Sequence, residues 1–384
     1  MQIERFLAVL NEVNAELNNP AVATSINELI ALIPQASQIA QFDNHLKTLE
    51  NHFNSSVVNS YPPSKIKILS GINGMGFCGN NAMKEILQIV QSNKFYNPAD
   101  KVAELTNFNN RLNEFKSKIT TEISSLTNLG LKPFILADNK FEVGVILSEH
   151  ITKNEIKKIQ EYLEEWHKLL KYLNEITSGN HDNPKISTLG TTDSLEIYFE
   201  NTLDTASCVA IAIDRITTIY QNVGEGKRML EEVKAKGFLT LDIEKNYEER
   251  KLQMIKEGLD SLVDEIAEKY KDKNEPGRIN ELKNGLRMSF EFIANSIDNG
   301  INVEVNTPKN NESPEQPAEG DSEEIKKSKE EKNKQIDERK KVLATIAESG
   351  SKTKLLPSVR ETRILGLPEP DLNKLDQTAK KKAK

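Results

Sequence analysis

Apolar residues recur every three or four positions through most of the chain, and this spacing predicts amphipathic helices. Near the N-terminus the pattern predicts one helix closed by Pro20 and a second helix interrupted by Pro34. The same repeat returns over Leu105–Leu129, where the following Gly130 suits a helix C-cap. Residues 1–130 are therefore predicted to form an antiparallel helical bundle or coiled-coil section.

A different pattern follows, in which apolar and polar residues alternate as they do in strands with one buried face. Glu196 and Glu200 alternate with apolar residues in one such segment, so we expect both carboxylates to face solvent and not to act as a catalytic pair. Phe134–Ala137 is either one arm of a hairpin or a loop that leads into the first strand. The predicted strands are Phe141–Leu147, Lys185–Leu189, Ser194–Glu200 and Ile301–Val305.

The segment Ser194–Val223 joins the clearest strand pattern directly to the most apolar helix pattern of the chain. Asp204 or Thr205 is the expected N-cap of that helix. The helix is expected to run to about residue 236, to turn near Gly237 and to pair with a second long helix at about 242–273. A third helix is predicted at about 278–298.

Residues 134–305 thus give the order β-α-β-β-α-α-α-β. This order predicts a small antiparallel, ferredoxin-like sheet with a helical hairpin, at about 204–273, inserted before the last strand. The expected fold class is α+β and predominantly α-helical, with a second domain at 131–305. Sustained seven-residue repeats at Ile156–Leu173 and Leu252–Ile266 leave open whether these seams pack within one chain or between chains.

The composition changes after residue 305. Residues 306–350 are predicted to be a charged, disordered linker that contains one solvated helix at Glu323–Glu348. Residues 351–384 hold nine Lys or Arg against four Asp or Glu, a local net charge of +5 (9 − 4). Isolated apolar residues among prolines in this tail predict a short motif that binds a protein partner, and removing the tail should leave the melting temperature of the body unchanged. The motif residues are Leu355, Leu356, Ile364, Leu365 and Leu367.

Net charge, apolar run length and cysteine content argue against several classes of protein. The net charge of −7 disfavours a general nucleic-acid binder. No apolar run approaches the length of about 20 residues that a membrane-spanning helix needs, so none is expected. Two cysteines, Cys78 and Cys208, are too few for a disulfide framework and favour a reducing, cytoplasmic location. Abundant Asn, Lys and Ile are compatible with an AT-rich bacterial coding sequence.

One motif has a chemical interpretation. Gly74, Gly76 and Gly79 form a G-x-G-x-x-G pattern after an apolar stretch and before a helix, as in dinucleotide-binding loops. The second strand and the acidic residue of such a unit are missing, so a connecting loop is favoured over a cofactor site. No histidine or cysteine spacing indicates a metal site, and no catalytic residue or cofactor is predicted.

No motif is specific enough to assign a family. The favoured function is a non-enzymatic scaffold or accessory subunit, which acts through helix-to-helix contacts and the tethered C-terminal motif and which is able to form homo-oligomers. The alternative is a nucleotide-binding or ligand-binding sensor or enzyme that uses the loop at residues 71–79. A third hypothesis is a component of a bacterial multi-protein system such as phage defence.

Overall fold

The chain divides into two compact units, Met1–Ile135 (unit 1) and Leu136–Lys384 (unit 2), each with its own hydrophobic core. The structure is a computed structural model. Of the 384 residues it describes 2–35, 38–91, 97–138, 140–153, 155–179, 182–191, 194–238, 240–273, 276–308, 323–353 and 364–366.

Unit 1 is helical, as its apolar spacing predicts. Asn19 and Asn97 accept hydrogen bonds from the amides two residues on, each 3.0 Å away, and both are followed by a proline in the first helical turn. The core is made of the periodic apolar positions, including Leu10 and Phe108. The helices are α1 Ile3–Leu17, α2 Pro20–Leu32, α3 Ile39–Asn54, α4 Pro63–Gly71, α5 Gly79–Gln91 and α6 Pro98–Asn128.

Unit 2 contains a four-stranded antiparallel sheet. Its strands are β1 Phe141–Ser148, β2 Lys185–Thr191, β3 Ser194–Asn201 and β4 Asn302–Asn306, in the spatial order β2-β3-β1-β4. All three neighbouring pairs are antiparallel. The predicted fold class, α+β and mostly helical with a small antiparallel sheet, is confirmed. Residues 134–137 are not a strand, so the second alternative, a loop leading into β1, is the one observed.

The sheet of unit 2 packs against helices. The helices of this unit are α7 Glu149–Thr152, α8 Ile156–Ser178, α9 Leu203–Ala235, α10 Leu241–Lys269, α11 Pro276–Asp298 and α12 Glu323–Thr353. Apolar residues opposite one another in the strands, such as Val145 and Ile197, belong to the same buried cluster as Ile213 of α9. The predicted turn between α9 and α10 contains Gly237 at φ +78°, a left-handed conformation that glycine adopts without strain.

The predicted N-cap of α9 was wrong. The hydroxyl of Thr202 accepts the hydrogen bond from the Thr205 amide at 3.3 Å, and the backbone of Thr202 is extended, as an N-cap requires. Asp204 instead lies inside the first turn, where its charge complements the helix dipole. The alternation of apolar and polar residues predicts the strand but does not mark the residue at which the strand ends and the helix begins.

The second face of the sheet is not open to solvent, which corrects the expectation for Glu196. Glu196 is 7% exposed, and Glu142 and Glu304 on the same face are 1% and 2% exposed. The Ser187 hydroxyl donates to Glu142 Oε1 at 2.6 Å. Glu200, near the C-terminal end of β3, pairs with Lys140 at 3.0 Å. Strand alternation identified the polar face correctly but did not reveal that this face is covered.

The two predicted seams are used within unit 2. Their central residues lie in its core, whereas the first residue of each seam, Ile156 and Leu252, is exposed. The buried seam positions are Trp166, Leu170, Leu173, Ile255, Leu259, Leu262 and Ile266. A stripe that is buried within one unit is not free to pack against a second chain.

Helix α12 differs from the solvated helix expected at Glu323–Glu348. It packs along α9, and Ile336 and Ile346 are buried. Ile336, Leu343 and Ile346 are spaced by seven and three residues, so they share one narrow helix face. This stripe was hidden in the sequence by the many charged residues around it.

Within the residues that the structure describes, no helix is both long enough and apolar enough to cross a bilayer.

We expect Ile213→Asp to unfold unit 2. Ile213 is buried between α9 and the rest of the core, and a carboxylate placed there has no partner, so the free energy of unfolding should fall by about 4 kcal/mol or more. Chemical denaturation followed by circular dichroism measures this loss. Asn222→Asp is the matched control, because it adds the same charge at an exposed position of α9. A cooperative, fully folded Ile213→Asp variant would contradict the role assigned to this helix.

Candidate functional site

A short segment of the C-terminal tail lies against the body of unit 2. It consists of Ile364, Leu365 and Gly366, and we call it the tail segment. Leu365 is 0% exposed and belongs to the same hydrophobic cluster as the sheet and the long helices. Ile364 packs against the edge of this cluster. The tail segment is therefore part of the packed core of unit 2.

The tail segment is held by one carboxylate. Asp298 Oδ1 accepts hydrogen bonds from the amides of Ile364 and Leu365 at 2.7 and 3.0 Å, and Oδ2 accepts from the amide of Gly366 at 3.0 Å. Asp298 is itself 0% exposed. Hydrogen bonds to a charged group are the stronger kind, contributing about 1.5–3 kcal/mol each. We call this arrangement the Asp298 site.

The local structure explains why Asp298 needs these donors. Asp298 is the last residue of α11, and Gly300 follows it at φ +89°. The amides of Gly300 and Ile301 bond to the carbonyls of Ile297 and Ser296 at 3.0 and 2.9 Å, a pattern that closes the helix. A buried carboxylate at a helix C-terminus is disfavoured by both desolvation and the helix dipole. The three amides of the tail segment offset that cost.

Two glycines shape the contact. Gly366 has φ +61°, and a Cβ built on it would lie no closer than 3.8 Å to a described atom, the Nζ of Lys251. Glycine is therefore favoured at 366 by backbone conformation and not by lack of space. Gly224 of α9 faces the tail segment, since a Cβ built there would lie 3.6 Å from Ile364 Cδ1.

A cavity adjoins the Asp298 site along α9. Its volume is about 490 Å³, and its lining includes Gln221, Gly224, Glu225 and Arg228. These residues follow one face of the helix, and Gly224 is shared with the contact to Ile364. The cavity thus lies next to the tail segment, and its lining carries side chains of both charges.

The structure brings together part of the predicted partner-binding motif. Ile364 and Leu365 both contact the chain's own body, while Leu355, Leu356 and Leu367 lie outside the described residues. The prediction that removing the tail leaves the body's stability unchanged does not fit a buried Leu365. Binding of this motif to another protein stays a prediction. The missed residue is Asp298, which the sequence presents only as one more acidic residue at a helix end.

The glycines of the candidate nucleotide loop have packing roles. The segment before the loop is helix α4, whereas a dinucleotide-binding loop follows a strand. A Cβ on Gly74 would lie 2.4 Å from Leu69 Cδ1 and 2.8 Å from Phe115 Cζ, so a larger residue there would have to displace these two side chains. Gly76 has the most room, its Cβ position being 3.3 Å from Glu85 Oε2.

The first two amides of the helix that follows this loop are already hydrogen-bonded to side chains. The amide of Gly79 donates to Glu16 Oε1, and the amide of Asn80 donates to Asn59 Oδ1, each at 2.8 Å. In phosphate-binding loops such amides point at the ligand. In this chain they hold side chains of unit 1, so cofactor binding at Gly74, Gly76 and Gly79 is left with less support than the sequence motif alone suggests.

The pKa values of two buried groups, Cys78 and Tyr61, are raised, which disfavours their reactive, deprotonated forms. Burial, and after it the charge of Glu16, raise the pKa of the Cys78 thiol. Burial, with a smaller effect from Glu12, raises the pKa of Tyr61. A raised thiol pKa lowers the fraction of the nucleophilic thiolate. Among the described residues, no three His, Cys, Asp or Glu side chains converge as metal ligands would.

We expect neither cysteine to react in the native protein. Cys78 and Cys208 are both buried, and the raised pKa of Cys78 further reduces its thiolate at pH 8. A thiol-specific chromogenic reagent at pH 8 should label essentially no cysteine in the native chain and both after denaturation. Rapid labelling of either residue in the folded protein would contradict the described packing.

We also expect loss of the tail segment to destabilise unit 2. Leu365→Asp, or deletion of residues 354–384, removes a buried leucine worth about 2 kcal/mol and leaves Asp298 without the three amides. The melting temperature should fall by about 4–8 °C. Leu241→Ala, a truncation at a residue that is 85% exposed, is the control and should leave it unchanged. Equal melting temperatures for all variants would mean that the segment does not dock.

The chain matches no protein-family model, no curated protein and no solved structure.

Proposed function

We propose that this chain is a non-enzymatic scaffold or accessory subunit whose C-terminal motif alternates between its own body and a protein partner. The observation that carries the proposal is the Asp298 site, in which one buried carboxylate binds three consecutive amides of the tail segment. One common mode of short-peptide recognition combines hydrogen bonds to the peptide main chain with a pocket for a side chain. The site is therefore a peptide-binding site that holds a segment of the same chain.

The size of the contact favours exchange. One buried leucine and a few charge-assisted hydrogen bonds stabilise the docked state by several kcal/mol, and ordering of the segment offsets part of this. What remains is comparable to the free energy of an ordinary micromolar complex, about 8 kcal/mol, or smaller. A partner with moderate affinity for the motif is then able to shift the population toward the released state.

A second surface supports contacts between helices. Between Gly224 and Met254, none of the described residues of α9, α10 and the turn that joins them is buried, and we call this stretch the arm. The arm nevertheless carries large apolar side chains that are more than half exposed. These are Met229, Phe238, Leu241 and Leu252. Exposed apolar side chains grouped in one part of a protein are typical of protein-interaction surfaces.

The alternative function, nucleotide binding at residues 71–79, makes a separate prediction. Because the N-terminal amides of α5 bind Glu16 and Asn59, we expect no thermal stabilisation by ATP, GTP, NAD or NADP. Stabilisation of the native chain that is lost in Gly76→Val would support the alternative and count against the proposed function.

Partner capture tests the proposal. The intact chain, Asp298→Asn and a chain lacking residues 354–384 are used as baits, and recovered proteins are quantified by mass spectrometry. Asp298→Asn weakens docking and leaves the motif intact, so recovery of motif-dependent partners should rise several-fold. The deleted chain should lose the same partners.

Asp272→Asn is the matched control, because it makes the same chemical change at an exposed residue. It should recover the same amounts as the intact chain. An identical partner set from the intact and deleted chains would overturn the role of the tail.

A further inference from the structure

We infer that the Asp298 site also binds the tail segment of a second copy of this chain, so that exchange of tails links copies to one another. The inference rests on the proposed function, because it requires the site to release its own segment. The occupant is chosen on structural grounds. The one peptide whose fit to the site the structure shows is the segment Ile364–Gly366, and every copy carries both the segment and the site.

Recognition depends on three features that a second copy supplies unchanged. The amides of the segment meet the Asp298 carboxylate, the Leu365 side chain enters the core, and Gly366 adopts a left-handed conformation. None of these features depends on whether the segment is attached to the same body. Attachment to the same body affects only the local concentration at which the site meets the segment.

The protein concentration therefore decides whether a site holds its own tail segment or that of a second copy. A copy with an occupied site binds a second tail only after its own segment leaves, so the intact chain should be mainly monomeric at low concentration. Two variants remove this competition. Gly224→Leu blocks the site, since the added side chain enters the space of Ile364, the one described contact of that position within 4 Å. Leu365→Asp leaves the site open but removes the segment's buried side chain.

Mixing these two full-length variants gives the decisive test. The free tail of Gly224→Leu should dock in the open site of Leu365→Asp, giving a 1:1 complex in light scattering, while each variant alone should be monomeric. In a second mixture, Asp298→Asn replaces Gly224→Leu as the chain with a released tail. Its site should bind its own segment at least about tenfold more weakly than the site of the intact chain does. Monomers in both mixtures would overturn the inference.

A peptide titration separates failure of the inference from failure of the proposed function. A fluorescent peptide of residues 360–370 is titrated into the full-length Leu365→Asp variant, and its anisotropy is measured. Binding is expected, and adding Asp298→Asn to the same chain should weaken it about tenfold. No binding would overturn both the docking on which the proposed function rests and the inference. Binding of the peptide without a complex in the mixtures would overturn the inference alone.

The peptide sequence tests the recognition features. Replacing Gly366 by alanine should weaken binding about 5-fold to 30-fold, because a left-handed conformation costs an L-residue about 1–2 kcal/mol while the added Cβ has room. Replacing it by asparagine, which tolerates this conformation better, should have a smaller effect. Equal affinity for all three peptides would show that the segment binds in another conformation and would overturn the site as described.

Discussion

The packing of α9 against the apolar face of the four-stranded sheet is the interaction on which unit 2 depends. Strand β3 lies between β1 and β2, and it leads through Thr202 directly into α9. The same helix then contacts α8, α10, α11 and α12. Each of these helices has a narrow apolar face that cannot be buried without a neighbour, and α9 is the neighbour that they share.

The Asp298 site is a consequence of this arrangement. Helix α11 must end before β4 joins the edge of the sheet, and Gly300 closes the helix within two residues of Asp298. The carboxylate is thereby left in the core at the negative end of a helix, where it is disfavoured. Three amides from the tail satisfy it, and the accompanying leucine fills apolar space. Folding of the body and docking of the tail are coupled through one side chain.

This coupling gives the tail segment a defined position in the absence of a partner. A motif of isolated apolar residues between prolines is usually expected to order on another protein, whereas here part of it orders on its own chain. Docking through main-chain amides requires little specific sequence beyond a leucine and a glycine. Because so few groups take part, the contact is small, and a partner that binds the tail segment is able to displace it.

The helices and strands were largely predictable, because their periodicities are local properties of the chain. The spacing of Leu105 to Leu129 predicted α6, and the alternation of Leu195, Ile197 and Phe199 predicted β3. The order of these elements was enough to predict the ferredoxin-like sheet with an inserted hairpin, since short connections and antiparallel pairing leave few other arrangements.

Local sequence patterns therefore specify the helices and strands and their topology. Which polar groups are buried, and which groups they contact, depends on packing between distant parts of the chain. Glu142 and Asp298 look like surface residues in the sequence, and the glycine pattern at Gly74–Gly79 looks like a cofactor loop until Leu69, Phe115 and Glu16 are seen around it. The docking of Leu365 beside a residue 67 positions earlier in the chain is a long-range contact, and local periodicity contains no information about such contacts.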